Sequence, residues 1–234
     1  MDKKKHPGGD VGSGQDATHH AALDAAFGVV YYPPGSQAVA HAREEDLYTY
    51  TSYIGNHPMV TVPPGDAIYW LSDDLSLAEV RRGPLTIASR HLATVIRGYR
   101  ARAKAAEIGT TTTLPYVNGC STRQIFPPER CGDPTLQLLH IPPHSGEQIH
   151  HIHSTTRVVY CLAGAGSCAV GMDRLSRSQA LCPGMVVVLH PMCPHHFETE
   201  GESLLVLPLH VFSSPPAGIE FDHPMYNGTH RIGT

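Results

Sequence analysis

The chain is short of charge, of long apolar runs and of closely paired cysteines. Asp, Glu, Lys and Arg make up only 16% of its 234 residues, and the formal net charge is −4 with histidine neutral. So slight a negative balance leaves no electrostatic footprint for nucleic acid. No stretch reaches the roughly 18 consecutive apolar residues that mark a membrane-spanning helix. The basic start, Met1-Asp2-Lys3-Lys4-Lys5, runs into Pro7, Gly8, Gly9 and Asp10, where a secretory leader needs an apolar segment. The six cysteines, at 120, 131, 161, 168, 182 and 193, contain no C-x-x-C pair. Reduced thiols and a cytoplasmic location are therefore expected, with neither nucleic acid nor membrane as partner.

What is present points to a β protein with chemistry in one segment. Hydrophobic residues reach 41%, enough for a packed core. Low charge together with 20 Pro and 22 Gly suits short strands joined by turns. The length fits one generous domain or two small ones. Histidine is over-represented: there are 17, and nine of them (140, 144, 150, 151, 153, 190, 195, 196 and 210) crowd into residues 140–210.

Along the chain, residues 1–20 have no apolar period and are expected to form a disordered tail. Residues 21–115 are expected to form an N-terminal extension. It holds short β-like runs (Val29–Tyr32, Leu47–Ile54, Met59–Val62, Ala67–Leu71) broken by Pro33-Pro34-Gly35 and Pro63-Pro64-Gly65. Within it, Leu85, Ala88, Leu92, Val95, Ile96 and Tyr99 recur at three- and four-residue spacing and predict a helix over 84–107. Its polar face carries Arg90, Arg97, Arg100, Arg102 and Lys104, read as a solvated face rather than an anion site. From 116 to 234 strand follows strand, at the short spacing of an all-β barrel. The turn Pro63-Pro64-Gly65-Asp66 faintly echoes Cys182-Pro183-Gly184-Met185, which leaves open a degenerate second barrel in the N-terminal part.

The candidate site begins at Ile149-His150-His151-Ile152-His153. On a strand, residues two apart share a face, so His151 and His153 would point together. Two imidazoles on one face can hold a divalent ion. Downstream, Cys182-Pro183-Gly184-Met185 launches the apolar run Val186–Leu189, and Pro194-His195-His196-Phe197 delivers another histidine beside an aromatic. With these residues the chain resembles the cupin superfamily, whose motifs are G-x5-H-x-H-x3,4-E-x6-G and G-x5-P-x-G-x2-H-x3-N. His151 and His153 match the histidine pair, Gly164 closes the first motif, and His195 matches the third histidine. The resemblance covers residues 116–212, about two fifths of the chain. It implies a cupin double-stranded β-helix (jelly-roll) barrel, a metal held by His151, His153 and His195, and a homodimer.

The departures are informative. Gly146 is one residue too close to His151, Met192 stands where the second motif has glycine, and Thr199 or a neighbour replaces the terminal Asn. Arg157 falls where the family places its glutamate ligand. A guanidinium has no acceptor and stays protonated, so it cannot coordinate a cation. Turned into the cavity, it would favour an anionic substrate held across from the ion; turned outward, it would pair with an acid elsewhere. His140 and His210 could line the cavity or sit hydrogen-bonded in the core. Three neutral histidines leave coordination positions open. The leading expectation is an Fe(II) dioxygenase acting on a small anionic molecule that chelates the metal. The alternatives are a zinc or nickel isomerase, cyclase or lyase, with copper and manganese also compatible with imidazole, or a non-catalytic ligand-binding barrel.

Overall fold

The computed structural model describes residues 24–43, 49–129, 132–149 and 151–211; the expected tail and His150 lie outside them. The N-terminal strands are β1 (Val29–Tyr32), β2 (Ala38–His41), β3 (Tyr50–Ile54), β4 (His57–Val62), β5 (Ala67–Leu71), β6 (Leu77–Arg82), β7 (Leu85–Ser89), β8 (Leu92–Ile96) and β9 (Lys104–Glu107). The C-terminal strands are β10 (Leu114–Pro115), β11 (Ser121–Phe126), β12 (Thr135–Ile141), β13 (Thr156–Gly164), β14 (Gly166–Val170), β15 (Arg177–Leu181), β16 (Val186–Leu189), β17 (His195–Glu198) and β18 (Leu204–Val211).

A seven-stranded sheet, in the order β1-β16-β13-β18-β12-β11-β10, faces a three-stranded sheet, β15-β14-β17. The bridges Gly146↔Glu198 and His151↔His195 add a fragmentary fourth strand beside β17. Two facing antiparallel sheets with strands alternating between them in this order make a jelly roll, the cupin-type barrel expected from the motifs. The flanking strand β1 comes from the N-terminal extension and pairs with β16 from Val29↔Leu189 to Tyr32↔Val186.

The N-terminal strands repeat that order in abbreviated form. Their main sheet runs β2-β3-β8-β5-β6-β9, and β4-β7 lies apart from it. Strands β3, β8, β5 and β6 stand as β12, β18, β13 and β16 do, and β4-β7 stands as the ligand segment and β17 do. The counterpart of the β14–β15 hairpin is missing, because β5 turns straight into β6. By sheet order β5 corresponds to β13, so the Pro-Gly echo, which aligns β5 with β16, does not mark the register of the repeat.

The predicted helix over 84–107 is a misreading: the segment forms β7, β8 and β9. All five residues of β8 are buried, because its faces serve different cores. Leu92 and Ile96 belong to one apolar cluster, and Ala93 and Val95 to another. A strand buried on both sides loses its period-2 signature, and its apolar spacing then imitates a helix. The β-branched content of Thr86, Ile87, Thr94, Val95 and Ile96 is the local signal that favours strands. The arginines fall on loops; Arg90 pairs with Asp73 at 2.9 Å in solvent, and Arg97, Arg100 and Arg102 are exposed.

Three cores result. One lies inside the small N-terminal sandwich (Val60, Val62, Ile68, Ala93, Val95). A second joins the two large sheets, packing Tyr50, Tyr69 and Ile96 against Leu138, Val158 and Leu207. The third fills the C-terminal barrel with Val159, Cys161, Phe197 and Val206 among others. Strand parity then orients the site: along β13, Val158 and Tyr160 face the N-terminal sheet, so Arg157, Val159 and Cys161 face into the barrel.

Candidate metal centre

Backbone pairing, more than strand regularity, fixes the ligand segment. The run 148–154, expected as a strand, is strand-like among its described residues only at the His151↔His195 bridge. The His195 N–H donates to the His151 carbonyl at 3.0 Å, and the Met192 N–H to the His153 carbonyl at 2.8 Å. The second of these needs the 190–194 turn to fold tightly. Met192 holds a φ of +66° there, in the left-handed region where the family motif has glycine.

The three sequence-predicted ligands come together. Their available nitrogens all lie within 4.8 Å of one another. Ring centroids are 4.8 Å apart for His151–His153, 4.7 Å for His151–His195 and 5.4 Å for His153–His195. Two nitrogens bound to one ion at roughly 2.1 Å stand at most about 4.2 Å apart, so coordination needs a small closing of the trio. The tautomers are set for it. His151 Nδ1–H donates to the Gln148 carbonyl and His195 Nδ1–H to the Cys193 carbonyl, each at 2.8 Å. Their Nε2 atoms therefore carry lone pairs, as in metal sites where the other ring nitrogen is anchored to a carbonyl. Among the described residues, the His151 Nε2 is buried without a hydrogen-bond partner. Donor type, tautomer and convergence fit a divalent metal.

Arg157 faces the cavity. It is 3% exposed, and its Nη1 donates to His195 Nε2 at 2.6 Å and to His153 Nε2 at 3.2 Å. Its guanidinium lies 5.6 Å over the Phe197 ring. Burial lowers the pKa values of His153, His195 and His210, and the Arg157 charge lowers them further. Burial also lowers His151, against the pull of Glu147. All four are neutral near pH 7, the form that ligates metal.

Two residues join the site that the motifs did not supply. His210 lies opposite Arg157 in the β13–β18 register, and its ring centroid is 5.7 Å from that of His153. It is buried beside His153 and within 3.5 Å of the Thr155 hydroxyl, so it meets both readings left open for it. His140 sits elsewhere on β12, opposite Leu205 and Ser121. Glu147, 3% exposed, stands 3.9 Å from Arg157 Nη2 and accepts the Phe197 N–H at 3.1 Å. It is the single acid between Asp133 and Asp173, so a buried Arg157 could have pointed to it as counter-ion. Arg123 stays away from the barrel mouth and donates instead to the carbonyls of Glu107, Ile108 and Thr111. Tyr160 faces the N-terminal sheet, within 3.2 Å of His91 Nδ1.

No family model matches the chain, and no curated protein matches it in sequence. Among solved structures it is similar to a cupin 2 conserved barrel domain protein from Rhodopseudomonas palustris, with 19% identity and a TM-score of 0.35. That alignment covers 40% of this chain and 61% of that one. It is also similar to the polyketide cyclase RemF from Streptomyces resistomycificus, at 18% identity over 48% of this chain and 80% of that one, TM-score 0.35. The oxalate decarboxylase of Lactobacillus farciminis, in a formate complex, aligns over 79% of this chain and 86% of that one at 8% identity, TM-score 0.45. The jelly-roll description rests on the strand order and the centre on its own geometry. No helix among the described residues is long and apolar enough to cross a membrane.

Proposed function

We propose that the protein is a metal-dependent enzyme acting on a small anionic molecule, with Fe(II) dioxygenase chemistry as the preferred reading. The carrying observation is the placement of Arg157. A permanent cation sits beside three neutral imidazoles whose Nε2 atoms converge, in the position where the family motif has a carboxylate. In this reading His151, His153 and His195 hold the metal, and Arg157 balances the charge of a bound carboxylate, phosphonate or enolate. A site without an anionic ligand leaves the ion at its full charge, and bound iron would supply a place where substrate and oxygen meet.

The protein's own residues do the rest. The Gln148 and Cys193 carbonyls hold two imidazoles in the ligating tautomer. Phe197, fully buried beneath the guanidinium, keeps water from its underside. Ile149 and Met192, 73% and 47% exposed, flank the ligand segment with apolar surface.

The test is metal analysis of protein purified without an affinity tag, followed by oxygen uptake over a panel of thiols, diketones and phosphonates. One equivalent of iron with substrate-dependent uptake supports the proposal. One equivalent of zinc with no uptake would sink the dioxygenase reading and favour isomerase, cyclase or lyase chemistry. Ligand binding that survives His195→Ala, with no turnover of any kind, would make the barrel a binding module.

A further inference from the structure

We propose that Arg157 and the metal compete for the same imidazole lone pairs, and that Glu147 is the positioning residue that receives the guanidinium when the metal binds. This inference rests on the proposed metal role of the three histidines and adds to it a built-in competitor and its receiver.

Each unprotonated Nε2 has one lone pair in the ring plane. Arg157 Nη1 engages that of His195 at 2.6 Å and points at that of His153 from 3.2 Å. A lone pair that accepts an N–H cannot also bind a cation. The guanidinium does not deprotonate at accessible pH, so it cannot yield by losing a proton. It must move.

The destination is constrained by burial. Arg157 has a side-chain exposure of 4%, and taking a buried cation away from all partners is strongly unfavourable. Glu147, equally buried, is the acid placed to take it. The present 3.9 Å between Nη2 and Oε1 is too long for a hydrogen bond but short enough to close by side-chain rotation. Among the described residues the Nε of Arg157 also has no hydrogen-bond partner, which leaves a second donor for a carboxylate to engage. Glu147 itself is anchored, because its Oε2 accepts the Phe197 N–H at 3.1 Å and its own N–H donates to the Phe197 carbonyl at 2.9 Å. The receiver is fixed and the cation is the mobile partner. Held on Glu147, the guanidinium stays beside the metal, where an anionic ligand can meet both.

The experiment is Zn2+ affinity by chelator competition on wild type, Arg157→Gln and Arg157→Met, with a crystal structure of the zinc-loaded wild type. Two substitutions are used so that one folded variant, confirmed by circular dichroism, suffices. The expected result is that removing the competitor tightens zinc binding by about tenfold or more. In the loaded wild type, Arg157 should lie within hydrogen-bond distance of Glu147 and no longer on His195. Zinc affinity unchanged or weaker in both variants overturns the competition. A guanidinium still donating to His195, or turned to solvent, overturns the role of Glu147. Binding that is equal in all forms leaves the metal centre standing and removes only this inference; no binding in any form removes both.

Discussion

The two halves of the molecule use one strand order for different ends. In the N-terminal sandwich, the strands that correspond to the ligand segment and β17 pair Val60 with Ile87, and the interior is Val60, Val62, Ile68, Ala93 and Val95. In the C-terminal barrel the corresponding bridge joins His151 to His195, and the interior adds Arg157, His210 and Glu147. The small sandwich lacks the β14–β15 hairpin and fills its interior with apolar side chains. The larger barrel has an additional pair of strands to wall a polar end. Packing alone holds the first, whereas the second encloses charges that need partners. The fold permits chemistry without requiring it.

The two halves should differ most at the histidines. His195→Ala should weaken metal binding by about 100-fold or more, as loss of one of three protein ligands removes a coordinate bond. Ser89→Ala, on the β7 strand that stands where β17 does, should leave affinity within about twofold. Comparable losses from both would mean that metal binds somewhere other than the C-terminal barrel. Isothermal titration with Zn2+ checks the pair.

Next in size is packing. Ile68→Ala, in the N-terminal sandwich, should cost about 2–5 kcal/mol of unfolding free energy, and Phe197→Ala about 3–5 kcal/mol. Only the second should also disturb the centre, since the Phe197 ring packs beneath the Arg157 guanidinium. Urea unfolding with parallel zinc titration separates them. Altered zinc affinity in Ile68→Ala would show that the two interiors are coupled through the shared core.

A smaller effect is pH-dependent. The folded pKa values of His151, His153, His195 and His210 lie below the roughly 6.5 of an unfolded imidazole. The unfolded chain therefore takes up more protons in acid. Stability from these groups is full above about pH 6.5 and declines as pH falls below it. Metal-free protein should lose thermal midpoint steadily from pH 7 to 5, and His210→Gln should flatten that slope. A midpoint that rises over the same interval would contradict the sign.

How much of this was legible in the sequence depended on how locally each feature is encoded. The strands Val29–Tyr32 and Ala67–Leu71 were bounded by their own turns and came out with the same ends. The histidine trio was legible because three positions in two motifs carried it. The segment 84–107 was not, because burial of β8 on both faces depends on a sheet contributed by distant strands. The direction of Arg157 was open for a similar reason: parity cannot be counted through the irregular residues 151–155, and it is set by the pairing of β13 with β16 and β18. Glu147 and His210 belong to no motif and became site residues only through the fold.

The smallest expected effect concerns the thiols. Cys161 and Cys193 are buried, with pKa values pushed up to about 12 chiefly by burial, and burial also raises that of Cys168. Cys182 is exposed. In folded protein, iodoacetamide should label Cys182 first among these four, by peptide mass mapping. Early labelling of Cys161 or Cys193 would mean that the barrel interior opens far more readily than the small N-terminal sandwich requires.

The place where the metal binds separates the two halves most directly. Equilibrium dialysis of tag-free protein against iron, zinc, nickel, manganese and copper, each in turn, should give one equivalent of at least one ion in the wild type. None should be retained when His151, His153 and His195 are all replaced by alanine in a variant that keeps its β circular dichroism. Stoichiometric metal retained by that triple variant, or absent from the wild type for every ion, would contradict the assignment of chemistry to the C-terminal barrel.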